Sequence, residues 1–265
     1  MEFIRKNEKI QEILTNAGIE NATQEARWIC EYGKGDLLKL ANRRASGEPL
    51  QYLLGEWEFY GYPIKVGEGV LIPRPETELL VDLAKEALTP YSEKYTVLDL
   101  CAGSGCVGIA IAHEMEKIKA LGCNVISVEK SPQAFQYLKA NIQLNGLENQ
   151  IQAIQADVLE MQFNQKADCI LINPPYLTKN EMLTLQKEVT HEPESALYGG
   201  SEDGLNFYHR FFAKWSDIIK KTRLFACEVG DNQAENVVQI LKEIGMSSKV
   251  RKDLSGVARI VYTNI

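Results

Sequence analysis

Four consecutive residues have groups suited to holding a planar nitrogen: Asn173, Pro174, Pro175 and Tyr176. Proline fixes its own φ angle and has no backbone N–H, which leaves the local carbonyl oxygens free to accept from a ligand. Asn173 adds a side-chain carbonyl, and Tyr176 adds an aromatic face. An amide or exocyclic amine nitrogen is a poor nucleophile because its lone pair is delocalised. Hydrogen bonds accepted from its N–H groups offset the positive charge that grows during attack, so the segment predicts group transfer to such a nitrogen.

This tetrapeptide is not specific by itself. In isolation it is more often an ordinary Pro-Pro turn after a buried strand. Here it follows the apolar segment Asp168–Ile172, which is predicted to be the fourth strand of a sheet, and it lies downstream of a glycine-rich loop. That context favours the functional interpretation.

The glycine-rich loop follows a strand predicted at residues 96–100 and comprises Cys101, Ala102, Gly103, Ser104 and Gly105. Glycine allows a tight turn and a close approach of the backbone to a ligand. Ligands of doubly wound sheets bind outside the carboxyl ends of the strands. Glu129, at the end of the next predicted strand, has a carboxylate that can accept from both hydroxyls of a ribose. Together these features predict a nucleoside site.

The span Gly103–Gly108 also fits the dinucleotide fingerprint G-x-G-x-x-G, a weak match when taken alone. Asp99 precedes the loop, where it would meet the ammonium group of a methionine-like ligand and repel a pyrophosphate. The glycines also come several residues after the strand. A methyl donor is therefore favoured over a nicotinamide dinucleotide, and a purely structural glycine turn is the remaining alternative.

The elements that must position these residues alternate between strands and helices from residue 76 onward. Short apolar strands are predicted at 96–100, 124–129, 151–156, 169–172 and 224–229. A helix is predicted between the first two, from Val107 to about Ala120. This alternation is typical of an α/β protein with a mostly parallel sheet covered on both faces. Two final strands, near 247–250 and 257–263, are expected to add an antiparallel edge.

The first 75 residues have a different character. Residues 1–45 are predicted to form a small helical domain, since Ile10, Ile13, Leu14 and Ala17 follow the spacing of one helical face. Residues 46–75 contain many glycines and prolines and are predicted to be a β-rich linker with a short hairpin at 57–66. Residues 76–265 would then be the ligand-binding domain.

Composition narrows the function further. The formal net charge is −7, which favours a protein or small-molecule substrate over a long nucleic acid. The six cysteines form no Cys-x-x-Cys pair and the three histidines are scattered, so reduced thiols and no metal site are expected. Neither a signal peptide nor a membrane span is apparent, and a cytoplasmic location is expected.

With these motifs in place, the sequence resembles the release-factor glutamine N5-methyltransferase family (PrmC, also called HemK). The segment at 70–78, with its Pro-Arg-Pro-Glu-Thr-Glu stretch, is nearly diagnostic, whereas Asn-Pro-Pro-Tyr is shared with amino-directed DNA methyltransferases. The matching stretches run in order from about residue 43 to the end: Arg43–Tyr52, Glu58–Gly61, Val70–Glu78, Asp99–Cys106, Asn173–Tyr176, Glu192–Leu197 and Asp253–Gly256.

The resemblance implies a class I S-adenosylmethionine-dependent methyltransferase: a doubly wound, mostly parallel seven-stranded sheet with a small helical N-terminal domain and a β-hairpin linker. It implies methylation of the glutamine in the Gly-Gly-Gln motif of a peptide chain release factor, with S-adenosylhomocysteine as product. A monomer is expected, since a self-contained domain with a bound cofactor requires no partner subunit, and neither a metal nor a stable nucleic-acid partner is expected from the composition. Asn173 and Pro174–Tyr176 would hold the glutamine. The donor would be bound by Asp99, Cys101–Gly105, Glu129, Asp157, Val158 and Asn173.

This chain departs from the family pattern at several points. Cys101-Ala102 stand where glycine-threonine is more usual, Glu129 stands where aspartate is more usual, and the loop at 199–204 is one residue longer. The helical region before Gly47 is shorter by more than one turn, which leaves open how the glutamine is delivered. The alternatives are an amino-directed nucleic-acid (adenine N6) methyltransferase, a nicotinamide-dependent oxidoreductase and a non-catalytic adaptor.

Overall fold

The computed structural model describes residues 2–89, 94–118 and 123–264. Its first part consists of four helices: α1 (Glu2–Asn16), α2 (Ala22–Tyr32), α3 (Leu37–Ala45) and α4 (Leu50–Leu54). Their apolar faces share one small core, in which Ile10, Leu14 and Ile29 are fully buried. Asp36 caps α3, because its carboxylate accepts from the amides of Leu38 and Lys39.

Helix α4 was not predicted, because its flanking residues were interpreted as helix breakers. Pro49 and Gly55 instead act as its two ends, and Gly55 has a φ of +78°. The predicted hairpin follows as β1 (Glu56–Phe59) and β2 (Tyr62–Lys65), which pair antiparallel. Tyr60 and Gly61 at its turn both have positive φ angles, as a two-residue hairpin turn of the primed type requires.

The remaining strands form one seven-stranded sheet. They are β3 (Tyr95–Leu100), β4 (Cys123–Glu129), β5 (Ile151–Gln155), β6 (Cys169–Ile172), β7 (Leu224–Glu228), β8 (Lys249–Lys252) and β9 (Ala258–Asn264). The strand order is β5-β4-β3-β6-β7-β9-β8. Strands β3 to β7 run parallel to one another, and β9 is antiparallel to both of its neighbours, β7 and β8. The predicted mostly parallel α/β sheet is confirmed, although of the two final strands only β8 lies at an edge and β9 lies inside the sheet.

Helices cover both faces of this sheet. On one face lie α5 (Glu78–Leu88), α6 (Cys106–Ile118) and α7 (Pro132–Leu144); on the other lie α9 (Asn206–Ile219) and α10 (Ala234–Glu243). The predicted end of α6 at Ala120 lies outside the described residues. Short helix α8 (Lys179–Leu183) follows β6. Within the described ranges, no helix combines the length and apolar character needed to cross a bilayer.

The strand order reverses next to β3. The chain runs from β3 to β4 on one side and later returns to β6 on the other. The carboxyl ends of these strands flank a crevice, the usual ligand site of a doubly wound sheet. The two predicted site segments therefore meet there, because Cys101 follows β3 and Asn173 follows β6.

Candidate active site

A cavity, here called the donor cavity, lies at the carboxyl ends of β3, β4 and β6. All the residues that the sequence analysis assigned to a donor line it except Gly105, which lies beside the cavity at the start of α6. Phe207 of α9 also lines it, a position that the sequence analysis did not select. The predicted residues in its wall are Asp99, Cys101, Ala102, Gly103, Ser104, Glu129, Asp157, Val158 and Asn173.

The glycine loop is held by the carboxylate at the end of β4. Gly103 N donates to Glu129 Oε2 at 2.8 Å, and Ser131 N donates to Oε1 at 2.6 Å. Burial raises the pKa of Glu129. Each carboxylate oxygen keeps a second lone pair that can accept from a ribose hydroxyl. A Cβ added to Gly103 would meet no atom within 4 Å, so this glycine borders open space where a ligand can approach.

Asp99 is a buried carboxylate beneath the same loop. Its Oδ2 accepts from Gly108 N and from Ser127 Oγ, each at 3.1 Å. Burial raises its pKa to about 7. No ion pair of Asp99 with a basic side chain occurs in the described part of the chain. A buried carboxylate without a basic partner favours a cationic ligand such as an ammonium group.

Asp157 and Val158 form the far side of the donor cavity. Lys130 Nζ lies 2.8 Å from Asp157 Oδ2, and Leu159 N donates to Oδ1 at 2.8 Å. Partial burial raises the pKa of Asp157, but the ammonium of Lys130 outweighs it and the net shift is downward. Val158 is buried, and its carbonyl accepts from Trp215 Nε1 at 2.9 Å. This wall therefore combines a buried apolar side chain with a carboxylate, a combination that suits a planar base with polar edges.

A second cavity, here called the acceptor cavity, adjoins the first. It is lined by the segment after β6, by residues 184–186 and Val189, and by Asp231. Pro175 lines the donor cavity and Tyr176 the acceptor cavity, whereas Pro174 is buried and lines neither. The two cavities share four residues in their walls: Leu71, Arg74, Asn173 and Ala196.

Asn173 is connected to a buried carboxylate through one intervening hydroxyl. Its Nδ2 donates to Thr77 Oγ1 at 3.1 Å, and Thr77 Oγ1 donates to Glu228 Oε2 at 2.6 Å. Tyr176 Oη donates to the other carboxylate oxygen of Glu228 at 3.1 Å. Burial raises the pKa of Glu228 to about 7. The sequence analysis did not find Glu228; the one available signal was an acidic residue at the end of an otherwise apolar strand.

One carbonyl of the tetrapeptide is already bound inside the protein. The carbonyl of Tyr176 is not free, because it accepts from Gln233 Nε2 at 2.8 Å. Among the residues that the structure describes, no hydrogen bond reaches the carbonyl of Pro174 or that of Pro175. The carbonyls left for a ligand are therefore those of the two prolines.

The segment at 70–78 meets the segment that begins at Glu192. The buried carboxylate of Glu192 accepts from Ile72 N at 3.0 Å and forms an ion pair with Arg74. Pro193, Ser195 and Ala196 then complete the donor cavity. This contact explains why the two segments, far apart in sequence, belong to one site.

The strand order with one antiparallel strand, the glycine-loop cavity and the tetrapeptide on its wall define a class I S-adenosylmethionine-dependent methyltransferase. A family profile described as the TRM5/TYW2 methyltransferase domain matches residues 85–198. The catalytic domain of human METTL16, solved with an RNA hairpin, superposes with a TM-score of 0.63 at 16% identity, covering 85% of this chain and 81% of that one. At this identity the likeness concerns the fold alone.

Curated relatives are more specific. A release factor glutamine methyltransferase of Thermodesulfovibrio yellowstonii is 39% identical over 225 residues, which cover 84% of this chain and 78% of the relative. The enzyme of that name from Geobacter sulfurreducens is 32% identical over 270 residues, covering 94% of this chain and 91% of the relative. The chain belongs to the release factor glutamine methyltransferase family, which confirms the resemblance predicted from its motifs.

Proposed function

We propose that the protein transfers a methyl group from S-adenosylmethionine to the side-chain amide nitrogen of a glutamine, in the Gly-Gly-Gln motif of a peptide chain release factor. The observation that carries the proposal is the position of Asn173 on the wall common to the donor and acceptor cavities. A side chain in that position can contact the methyl donor and the accepting nitrogen together. The relatives' names support the glutamine acceptor.

The donor cavity fits S-adenosylmethionine in charge and shape. Asp99 would face the ammonium group, and Glu129 would accept from the ribose hydroxyls. Asp157 and Val158 would border the adenine. The bound sulfonium supplies an activated methyl group, so the protein has only to bind, orient and exclude water.

At the acceptor nitrogen, the Oδ1 of Asn173 and a backbone carbonyl of the Pro174-Pro175 pair would each accept from one N–H. These two acceptors direct the nitrogen lone pair toward the donor cavity and stabilise the positive charge that forms during attack. The methylated amide nitrogen is then strongly acidic and gives its extra proton to water, because neither an amide oxygen nor a backbone carbonyl is basic enough to keep it. Tyr176 would border the glutamine side chain in the acceptor cavity.

The net charge of −7 favours a protein substrate over a nucleic acid. The proposed setting is the cytoplasm, where the protein would meet newly made release factor. It would act as a monomer and release S-adenosylhomocysteine. No metal is required by this mechanism.

The test is to incubate the protein with a release factor and isotope-labelled donor, and to map the added methyl by mass spectrometry. We expect one methyl on the glutamine of the Gly-Gly-Gln motif. Asn173→Ala should lower kcat by about 100-fold or more while the donor still binds. Label on duplex DNA or RNA, with none on release factor, would overturn the proposal.

A further inference from the structure

We infer that Glu228 is a positioning residue, whose carboxylate acts through the Thr77 hydroxyl to turn the Asn173 amide so that its oxygen faces the acceptor nitrogen. The inference rests on the proposed function for the identity of that nitrogen. The three side chains come from the end of β7, from the turn just before α5 and from the residue that follows β6. We call them the orienting relay.

The direction of each hydrogen bond in the relay follows from the donors that each group has. An ionised carboxylate only accepts, and a threonine hydroxyl has one proton to give. Thr77 Oγ1 therefore donates to Glu228 Oε2, 2.6 Å away, and can only accept from Asn173, 3.1 Å away. The Asn173 group beside Thr77 must then be the NH₂, and the carbonyl oxygen must point away.

This selection matters because the two ends of an asparagine amide are nearly equal in size. A reversed amide would fit the same space but would present N–H groups to the N–H groups of the acceptor. Such a contact repels and removes one of the two acceptors that activate the nitrogen. Packing alone does not choose between the two orientations, whereas a fixed acceptor-only group at the end of the relay does.

The surroundings of Glu228 are unusual for a purely structural carboxylate. It is 2% exposed, and its two oxygens accept only from hydroxyl groups, those of Thr77 and Tyr176, within the described residues. A buried carboxylate without a direct basic partner destabilises a fold, and such groups are concentrated at functional sites. Here the same carboxylate is linked to both ends of the tetrapeptide, directly to Tyr176 and through Thr77 to Asn173.

The charge of Glu228 makes the relay sensitive to pH. Burial raises its pKa most; Glu76, beside Thr77, raises it further, while the two hydroxyls and Arg259 on β9 lower it. From α9, the hydroxyl of Tyr208 donates a hydrogen bond to the backbone carbonyl of Glu228 and not to its carboxylate. A protonated Glu228 can donate to Thr77, which frees the Thr77 hydroxyl to donate to Asn173 and allows the reversed amide. The rate should therefore fall as the pH drops below about 7.

The kinetic test measures kcat on release factor at saturating donor, together with the Kd of S-adenosylhomocysteine. Thr77→Val removes the hydroxyl and keeps the shape; we expect kcat to fall by about 100-fold with little change in Kd. Thr77→Ser, which restores the hydroxyl, should recover most of the rate. Glu228→Gln should lower kcat and abolish its fall near neutral pH.

Tyr208→Phe is the matched control, because it deletes a buried hydroxyl that donates 2.8 Å to the backbone carbonyl of Glu228 and not to its carboxylate. This variant should keep the wild-type kcat and the wild-type fall in kcat toward acid pH. A Thr77→Val enzyme with normal kcat, or a Tyr208→Phe enzyme as slow as Thr77→Val, would overturn the relay.

A spectroscopic measurement tests the relay without turnover. The side-chain amide resonance of Asn173, assigned by its loss in Asn173→Ala, should titrate near pH 7 in the wild type and not in Glu228→Gln or Thr77→Val. A resonance that does not shift with pH in the wild type, and that is the same in both variants, contradicts the relay. If the resonance titrates but release factor gains no methyl, the relay stands and the proposed substrate is wrong.

Discussion

Arg44 and Glu188 lie 144 residues apart in the chain and form an ion pair, with Arg44 Nη1 2.9 Å from Glu188 Oε1. Arg44 belongs to α3 and also binds the buried Glu25 of α2 at 2.6 Å. Glu188 itself does not line the acceptor cavity, but its chain neighbour Val189 does. The N-terminal helices therefore bind the segment that contributes Val189 to one wall of the acceptor cavity.

Replacing Arg44 should destabilise the protein strongly. Arg44→Ala leaves the carboxylate of Glu25 buried without its cation, which should lower the free energy of unfolding by about 3 to 5 kcal/mol. Glu188→Gln removes a partly exposed charge and should lower it by less than about 1 kcal/mol. Urea denaturation measures both, and equal losses would contradict this assignment of the buried and exposed partners.

The donor affinity should depend on the ionisation of Asp99. Its pKa is raised to about 7 by burial, and a cationic ammonium binds only the ionised form. The Kd for S-adenosylmethionine should therefore rise about tenfold for each pH unit below 7. Isothermal titration in buffers of different ionisation enthalpy should show proton release near pH 6, and no such release in Asp99→Asn.

Ionisation of Asp99 favours donor binding but lowers the stability of the folded protein. Its folded-state pKa of about 7 exceeds the ordinary 3.8, so the folded protein binds this proton more tightly than the unfolded chain. That contribution to stability is complete below pH 3.8 and is lost as the pH rises through 7. Without donor, Asp99→Asn should thus be more stable than the wild type at pH 8, on the order of a few kcal/mol. Thermal unfolding at pH 5 and pH 8 measures this; a variant that gains nothing at pH 8 contradicts the prediction.

The sheet and the donor cavity could be predicted from the sequence because their signals are local. Apolar strands, glycine turns and strand-end acids each occupy a few adjacent residues, and parallel strands bring their carboxyl ends together. The orienting relay could not be predicted in this way. Thr77, Asn173 and Glu228 come from three elements, and no periodicity links their spacing. The hydrogen bond from Gln233 to the Tyr176 carbonyl could not be predicted either, because the two residues meet only after the chain has folded.

Cys101 should show the conformational cost of its position. Its φ is +57°, a left-handed conformation that favours glycine. Cys101→Gly should relieve about 1 kcal/mol of strain, less whatever packing the thiol provides. Cys101→Val should destabilise, because a β-branched residue tolerates this φ least. Chemical denaturation would show the expected order, glycine above cysteine above valine, and valine at or above cysteine would contradict it.

Replacement by alanine should have different effects at Gly103, in the loop, and at Gly108, in helix α6. Gly103 has open space around it and a φ of +56°, so Gly103→Ala should cost about 1 kcal/mol of stability and mainly weaken donor binding, since the added methyl enters the ligand's space. Gly108 lies against the sheet: its Cβ would be 2.7 Å from Ser127 Oγ and 2.8 Å from Asp99 Oδ2.

Gly108→Ala must therefore displace both groups and should destabilise by about 1 to 3 kcal/mol through overpacking. Because Asp99 moves with it, the pH dependence of donor binding should change as well, which Gly103→Ala should leave intact. Paired measurements of unfolding free energy and Kd at pH 6 and pH 8 separate the two. If Gly103→Ala destabilises more than Gly108→Ala, then Gly103 is a structural turn and the ligand does not approach the backbone there.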